Sequence, residues 1–367
     1  MSSPMDFRQF GILSTGEPVE AWTLTGRGGV VLECMTYGGI VTRLLAPDRN
    51  GDCGDVVLGF KELESYLAGH PYFGAITGRV AGRVAGARFE LEGRTYQLAP
   101  NDPPNHLHGG PGGFDKRNWR ATPVERSDGA PSLRLSYSSP AGEEGYPGNV
   151  DVAVTYTVTN GNEFLIESEA VSDCITPLSL THHSYFNLAG EGSGSILDHR
   201  VEIFADEFIP ADDRLISTGR LESVAGRGND FRTPCRIGDA IGRLSQGHGD
   251  LYALPWDGGG AMYRAARVTD DASGRRMTVA TTERYLQLYT GSHLEMTAKG
   301  KSGSGYGRYA GLCLECEGFP DVSNAAMRGD TLLQPGQPRR RATMYGFSIA
   351  SGEGEDGTAA REGAGQR

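Results

Sequence analysis

The sequence predicts a mainly β protein, antiparallel and of sandwich type. Three observations carry this: short apolar runs that are β-branched or alternate in polarity, dense glycine punctuation between them, and little helical periodicity. Glycine supplies 54 of 367 residues, about one in seven and roughly twice the usual share, without a collagen period. Many tight turns follow from that abundance.

Taken in chain order, the predicted strands cover residues 19–24, 30–37, 40–45, 150–158, 164–171, 277–282, 285–290 and 347–350. The runs are punctuated by Gly, Asp, Asn and Pro, which favour turns for separate steric and hydrogen-bonding reasons. Glu92-Gly93 separates two further runs, 87–91 and 94–98, and the cluster 270–274 separates 264–268 from 277–281. Both are hairpin signals, so neighbouring strands should run antiparallel. Residues 61–68 and 237–244 could each make a few helical turns, too few to cover both faces of a parallel sheet. Residues 7–350 therefore read as one β-sandwich domain, after an amino-terminal extension at 1–6. Residues 351–367 contain no large apolar side chain and read as a disordered polar tail.

Charge and composition remove several function classes. The 35 basic and 46 acidic side chains give a net charge of −11. The basic run Arg339-Arg340-Arg341 is too short for a nucleic-acid footprint. Every apolar run falls short of the roughly 18 residues of a membrane span. The polar start from Met1 to Arg8 does not resemble a secretory signal. Six cysteines in this length are too sparse for a disulfide scaffold, and the cytoplasm is the expected compartment.

Two motifs do not survive inspection. Gly300-Lys301-Ser302 ends like a phosphate loop, but Glu295 stands where the pattern requires glycine. Cys313 and Cys316 are spaced like one half of a zinc site, yet on a strand side chains three apart face opposite ways. Buried, inert thiols fit them better, and no metal is expected.

The histidines carry more information. Four of the eight fall in two groups, Asn105-His106-Leu107-His108-Gly109-Gly110 and Thr181-His182-His183-Ser184-Tyr185-Phe186-Asn187. Any one could be a satisfied core or turn residue. His108, however, precedes a Gly-Gly turn in a segment rich in Asn and Pro, which suits a loop mouth. On a strand, His183 and Tyr185 share one face while His182, Ser184 and Phe186 take the other. In Leu312-Cys313-Leu314-Glu315-Cys316-Glu317 both acids share one face of an apolar strand. Either that face is the solvated side of an edge strand, or a carboxylate is held in a cleft as a general base. Arg79 and Arg83 could be surface charges or donors to a polar ligand, one of them turned inward.

These segments, together with Gly113-Phe114-Asp115-Lys116, Trp119, Asp230-Phe231-Arg232 and residues 286–291 and 314–324, resemble aldose 1-epimerase (galactose mutarotase). Order and spacing match from about Gly11 to Ala350. The resemblance implies a large antiparallel β supersandwich with an open sugar cleft and no metal or organic cofactor. It implies that Glu315 is the proton acceptor and His183 the proton donor in the exchange of α and β anomers. Arg83, His108, Tyr185, Asp250 and Gln287 fall at positions that bind the sugar. The implied partner is a small-molecule aldose, with a monomer or homodimer as the assembly.

The chain departs from the family pattern at three places. Gly82 and His182 stand where asparagines usually precede the arginine and the catalytic histidine. In Gly247-His248-Gly249-Asp250, Asp250 takes the aspartate's place if one following residue is missing; otherwise Gly249 does. Two rival functions share the scaffold: epimerisation of a hexose 6-phosphate, which needs additional cations for the phosphate, and non-catalytic sugar binding.

Overall fold

In the largest sheet nine strands are ordered Arg120–Val124, Ser132–Ser139, Val150–Val158, Glu163–Ser172, Arg339–Ile349, Arg275–Thr281, Tyr263–Thr269, Arg200–Ile203 and Cys235–Arg236 among the described residues. Neighbours are antiparallel throughout. The structure is a computed structural model, and it describes residues 4–244, 247–258 and 260–350. The side-chain period of a strand is two, so Val150, Val152, Val154, Tyr156 and Val158 all enter the core.

Against that face packs a five-stranded sheet in sequential order, Met5–Ile12, Pro18–Thr25, Val31–Met35, Val41–Pro47 and Cys53–Asp55. Leu24, Leu32 and Leu44 from it join the same buried cluster as Val154 and Phe164. Arg275 ties the two sheets together: its buried guanidinium donates to the carbonyls of Ala46 (3.1 Å) and Asp52 (3.1 Å). A third sheet runs Glu222–Ser223, Glu207–Ile209, Leu251–Ala253, Tyr285–Tyr289 and Cys313–Glu317, and it carries one wall of the cleft.

The predicted β class and antiparallel pairing agree with this architecture. The two hairpins lie where the turn residues place them, as Arg88–Leu91 with Arg94–Gln97 and Tyr263–Thr269 with Arg275–Thr281. Glu92 and Gly93 both have positive φ (50° and 74°), the requirement of a two-residue turn whose twist matches its strands. The helices are shorter than predicted: Leu63–Leu67, and Ile237–Ala240 continuing as a 3-10 turn over Ile241–Arg243.

Several boundaries differ. Met5 and Asp6, read from sequence as part of an extension, pair with Leu24 and Thr23 in the first strand. Met5 packs against the core and Phe7 stacks on Trp22 at 4.8 Å. Predicted strand 347–350 is only the end of Arg339–Ile349, because the basic run that opens this strand masks its periodicity. There Arg339 turns inward and donates to the carbonyls of Leu178 and Thr331 (2.8 and 2.9 Å). The expected tail lies outside the described residues. Among those described, no helix is long and apolar enough to cross a membrane. Lys301 of the discounted phosphate-loop motif is paired with Asp55 at 2.7 Å.

Candidate active site

Two strand-end segments bring the histidines to one cleft. The short strand Thr181–His182 pairs with Ile76–Thr77, and the chain continues extended through His183 and Tyr185. The predicted alternation holds there. His183 and Tyr185 line the cleft, while His182 points the other way, bonded to Ser184 Oγ (2.7 Å) and packed on Tyr156 and Phe164. Of the two missing asparagines, therefore, only the one at Gly82 faces the cleft.

The second segment is a turn built on close backbone approach. His108 has φ 49°, and Gly109 follows at φ 88°, where a Cβ would stand 1.7 Å from the Gly78 carbonyl oxygen. Only glycine fits at Gly109. Gly82 N–H donates to His108 Nδ1 (3.2 Å), and its carbonyl accepts from the His108 amide (3.0 Å). Because Nδ1 accepts, the neutral ring carries its proton on Nε2. Burial and the positive charges nearby hold His108 well below the usual histidine range.

Glu315 enters from the strand Cys313–Glu317, directly opposite Gln287 on Tyr285–Tyr289. That strand ends its sheet, yet all of its residues are buried, so its polar face is not a solvated edge. His183 Nε2 lies 3.5 Å from Glu315 Oε2, both side chains only 4% exposed. On the other side of the ring, His183 Nδ1 meets Cys313 Sγ at 3.6 Å. Cys316 projects away from the cleft into the apolar core, as the alternation of a strand demands. All six cysteines are unpaired.

Burial disfavours charge on both members of the central pair. It raises the Glu315 carboxyl to about 8, against the opposing pull of the Arg83 charge, and lowers the His183 imidazole to about 4. Both shifts favour the neutral imidazole and the neutral carboxyl, which together hold one proton. Asp250 is likewise raised to about 6 by burial, with Asn229 Nδ2 donating to it at 3.1 Å.

Each residue that the family resemblance assigned to the site lines this one cleft of about 220 Å³: Arg83, His108, His183, Tyr185, Asp250, Gln287 and Glu315. Asp250 stands there rather than Gly249, which has no side chain and is pressed against the Leu288 carbonyl. Arg83 faces the cleft and donates to Asp102 (2.8 Å). Arg79 is the inward one, buried and bonded to Ser139 Oγ and to the carbonyls of Ser139, Pro140 and Pro147. Tyr185 is 2% exposed and packs edge-on against Phe73, which makes it more wall than ligand.

The sequence reading gives no site role to Tyr72, His248, Tyr289 or His293, and it names Glu317 only as sharing Glu315's strand face; all five line the cleft. Tyr72, with φ 61°, covers the rings of His108 and His183 at 4.6 and 5.6 Å. Its one sequence signal is an aromatic run ending in Gly74. The ligand atoms of His108, His183 and Glu315 also lie within 4.8 Å of one another, so this trio has the donor set and spacing to hold a divalent cation.

Comparison with known proteins agrees with this geometry. The aldose 1-epimerase family pattern matches residues 20–346. Galactose mutarotase of Bos taurus is 44% identical over 320 residues, covering 87% of this chain and 91% of that protein. Aldose 1-epimerase of Escherichia coli is 34% identical over 339 residues, covering 90% and 96%. Among solved structures, galactose 1-epimerase from Lactobacillus acidophilus superposes with a TM-score of 0.82 at 26% identity, over 95% of this chain and all of that one. A buried acid and imidazole in a polar cleft, on an antiparallel scaffold shared with these proteins, leave one assignment: the chain belongs to the aldose 1-epimerase family.

Proposed function

We propose that the protein interconverts the α and β anomers of free aldohexoses such as galactose and glucose by general acid and base catalysis. The observation that carries this is the His183 and Glu315 pair, 3.5 Å apart and both buried in the cleft. Ring opening needs a group that takes the proton of the anomeric hydroxyl and another that gives one to the ring oxygen. Glu315 is the acceptor and His183 the donor. A bound polyol and the Arg83 charge favour moving the shared proton onto His183, with no exchange with solvent.

Glu315 then removes the O1 proton as His183 protonates the ring oxygen, and the bond from C1 to the ring oxygen breaks. Rotation about C1 to C2 presents the other face of the aldehyde. On reclosure the C5 hydroxyl returns its proton to His183 and Glu315 returns its own to O1, so atoms and charge balance. Arg83, His108, Asp250 and Gln287 are the polar contacts that orient the hydroxyls, and His108 offers Nε2–H as donor. We place the enzyme in the cytoplasm, as a monomer or homodimer; its unpaired cysteines suit a reducing compartment.

The cleft disfavours a phosphorylated substrate: its lining offers Arg83 but also Asp250, Glu315 and Glu317, where a phosphate asks for clustered cations. The test is the optical-rotation decay of fresh α-galactose and α-glucose, with glucose 6-phosphate alongside. Acceleration of the free sugars is expected, and its absence in all three refutes the reading.

A further inference from the structure

Glu317 is unexplained by the acid and base pair. It lies two residues beyond Glu315 on the same face of the same strand, is 2% exposed and lines the cleft. Its Oε2 is buried and has no hydrogen-bond partner among the described residues. Leaving such an atom unpaired is costly, so a protein that keeps it there has a use for it or a ligand that relieves it. Gly82, which carries no side chain, lies beside it in the cleft lining: a Cβ there would stand 3.6 Å from Glu317 Oε1.

We propose that Glu317 is a further sugar-binding residue, its carboxyl taking as partner one hydroxyl of the bound aldose away from the reacting C1. This rests on the mutarotase reading and extends it to substrate selection. Two buried carboxyls on one strand face cannot both ionise when the nearby cation, Arg83, is already paired with Asp102. The reaction requires the negative charge on Glu315. Glu317 is therefore the neutral acid of the pair and can donate as well as accept. Burial and the charges of Glu315 and Glu283 push in that direction. A donor at a fixed point discriminates between hydroxyl configurations, because a misplaced hydroxyl leaves the buried group unpaired.

The experiment compares Glu317→Gln, Glu317→Leu and Glu317→Met in the full chain, on galactose and on its 2-, 3-, 4- and 6-deoxy derivatives. The amide keeps a neutral donor, so Glu317→Gln should raise KM by less than either apolar variant does. The two apolar variants should raise KM about tenfold while leaving kcat within about threefold. For one deoxysugar, the apolar variants should lose nothing further relative to wild type, which identifies the hydroxyl. An unchanged KM in both apolar variants overturns the proposal, as does an equal loss on every deoxysugar. Calorimetric binding of 1-deoxygalactose, which cannot mutarotate, separates the two readings. If wild type binds it but accelerates no anomer exchange, the mutarotase reading fails, while a loss of binding in Glu317→Leu and Glu317→Met but not Glu317→Gln still supports Glu317.

Discussion

The shared proton makes the pH profile the sharpest test of the mechanism. Activity requires one proton on the His183 and Glu315 pair, wherever it sits, so kcat/KM reports the two macroscopic limits of the pair. On the acid side a second proton is added as His183 titrates at about 4, and the base is lost. On the alkaline side the last proton leaves as Glu315 titrates at about 8, and the acid is lost. The expected curve is a broad plateau between these limits, falling about tenfold for each unit beyond either one. Polarimetry on fresh α-galactose measures it, after subtraction of the spontaneous rate at each pH, with circular dichroism confirming that the fold persists. Arg83 lowers the Glu315 carboxyl, so Arg83→Gln should move the alkaline limb to higher pH and leave the acid limb in place. An acid limb near the ordinary histidine value of 6.5 would refute the account, because it would mean that His183 titrates as an exposed imidazole. Activity that climbs steadily through the alkaline region would refute the need for an acid at all.

Other expectations follow from the same geometry. Glu315→Gln and His183→Asn should each lower kcat by about 10²–10⁴ with thermal unfolding little changed; for His183→Asn, loss of the fold would point to a structural histidine instead. Asp250→Asn keeps the contact to Asn229 but removes the carboxylate, and should raise KM about tenfold, equivalent to about 1.4 kcal/mol; a fall in kcat alone would contradict a binding role. Arg79→Leu removes the guanidinium's hydrogen bonds to Ser139 Oγ and to the carbonyls of Ser139, Pro140 and Pro147 and should cost about 3 kcal/mol of stability. Its denaturant midpoint checks this, and an unchanged midpoint would show that water replaces the guanidinium.

The class of the fold was legible because strand alternation and turn chemistry act locally: Val150–Val158 and the Glu92-Gly93 turn are each specified by a few neighbouring residues. Strands with mixed faces were not. Arg120–Val124 carries Arg, Thr and Pro on a mostly exposed strand, and Met5–Ile12 is mostly exposed, so hydrophobicity alone does not mark them. The site residues were legible where a face argument applied, as with His183 against His182. Tyr72 and His248 reach the cleft through loops, and a loop's direction is decided by tertiary contacts that no local period records. Glu317 was visible on the right face, but its lack of a partner is a property of the assembled cleft. Arg79 and Arg83 could not be told apart until the carbonyls that hold Arg79 came together from distant segments.

The glycine at position 82 has a mechanical consequence. Its φ is 73°, and a Cβ there would stand 2.4 Å from the Pro320 Cβ. Asparagine tolerates that backbone angle better than most residues, so the proline and not the torsion is the obstacle. Position 82 and position 320 are therefore mechanically coupled. A side chain at 82 requires the segment around Pro320 to give way. A library that varies position 82 by itself would report the give of that segment together with any preference for an amide in the cleft.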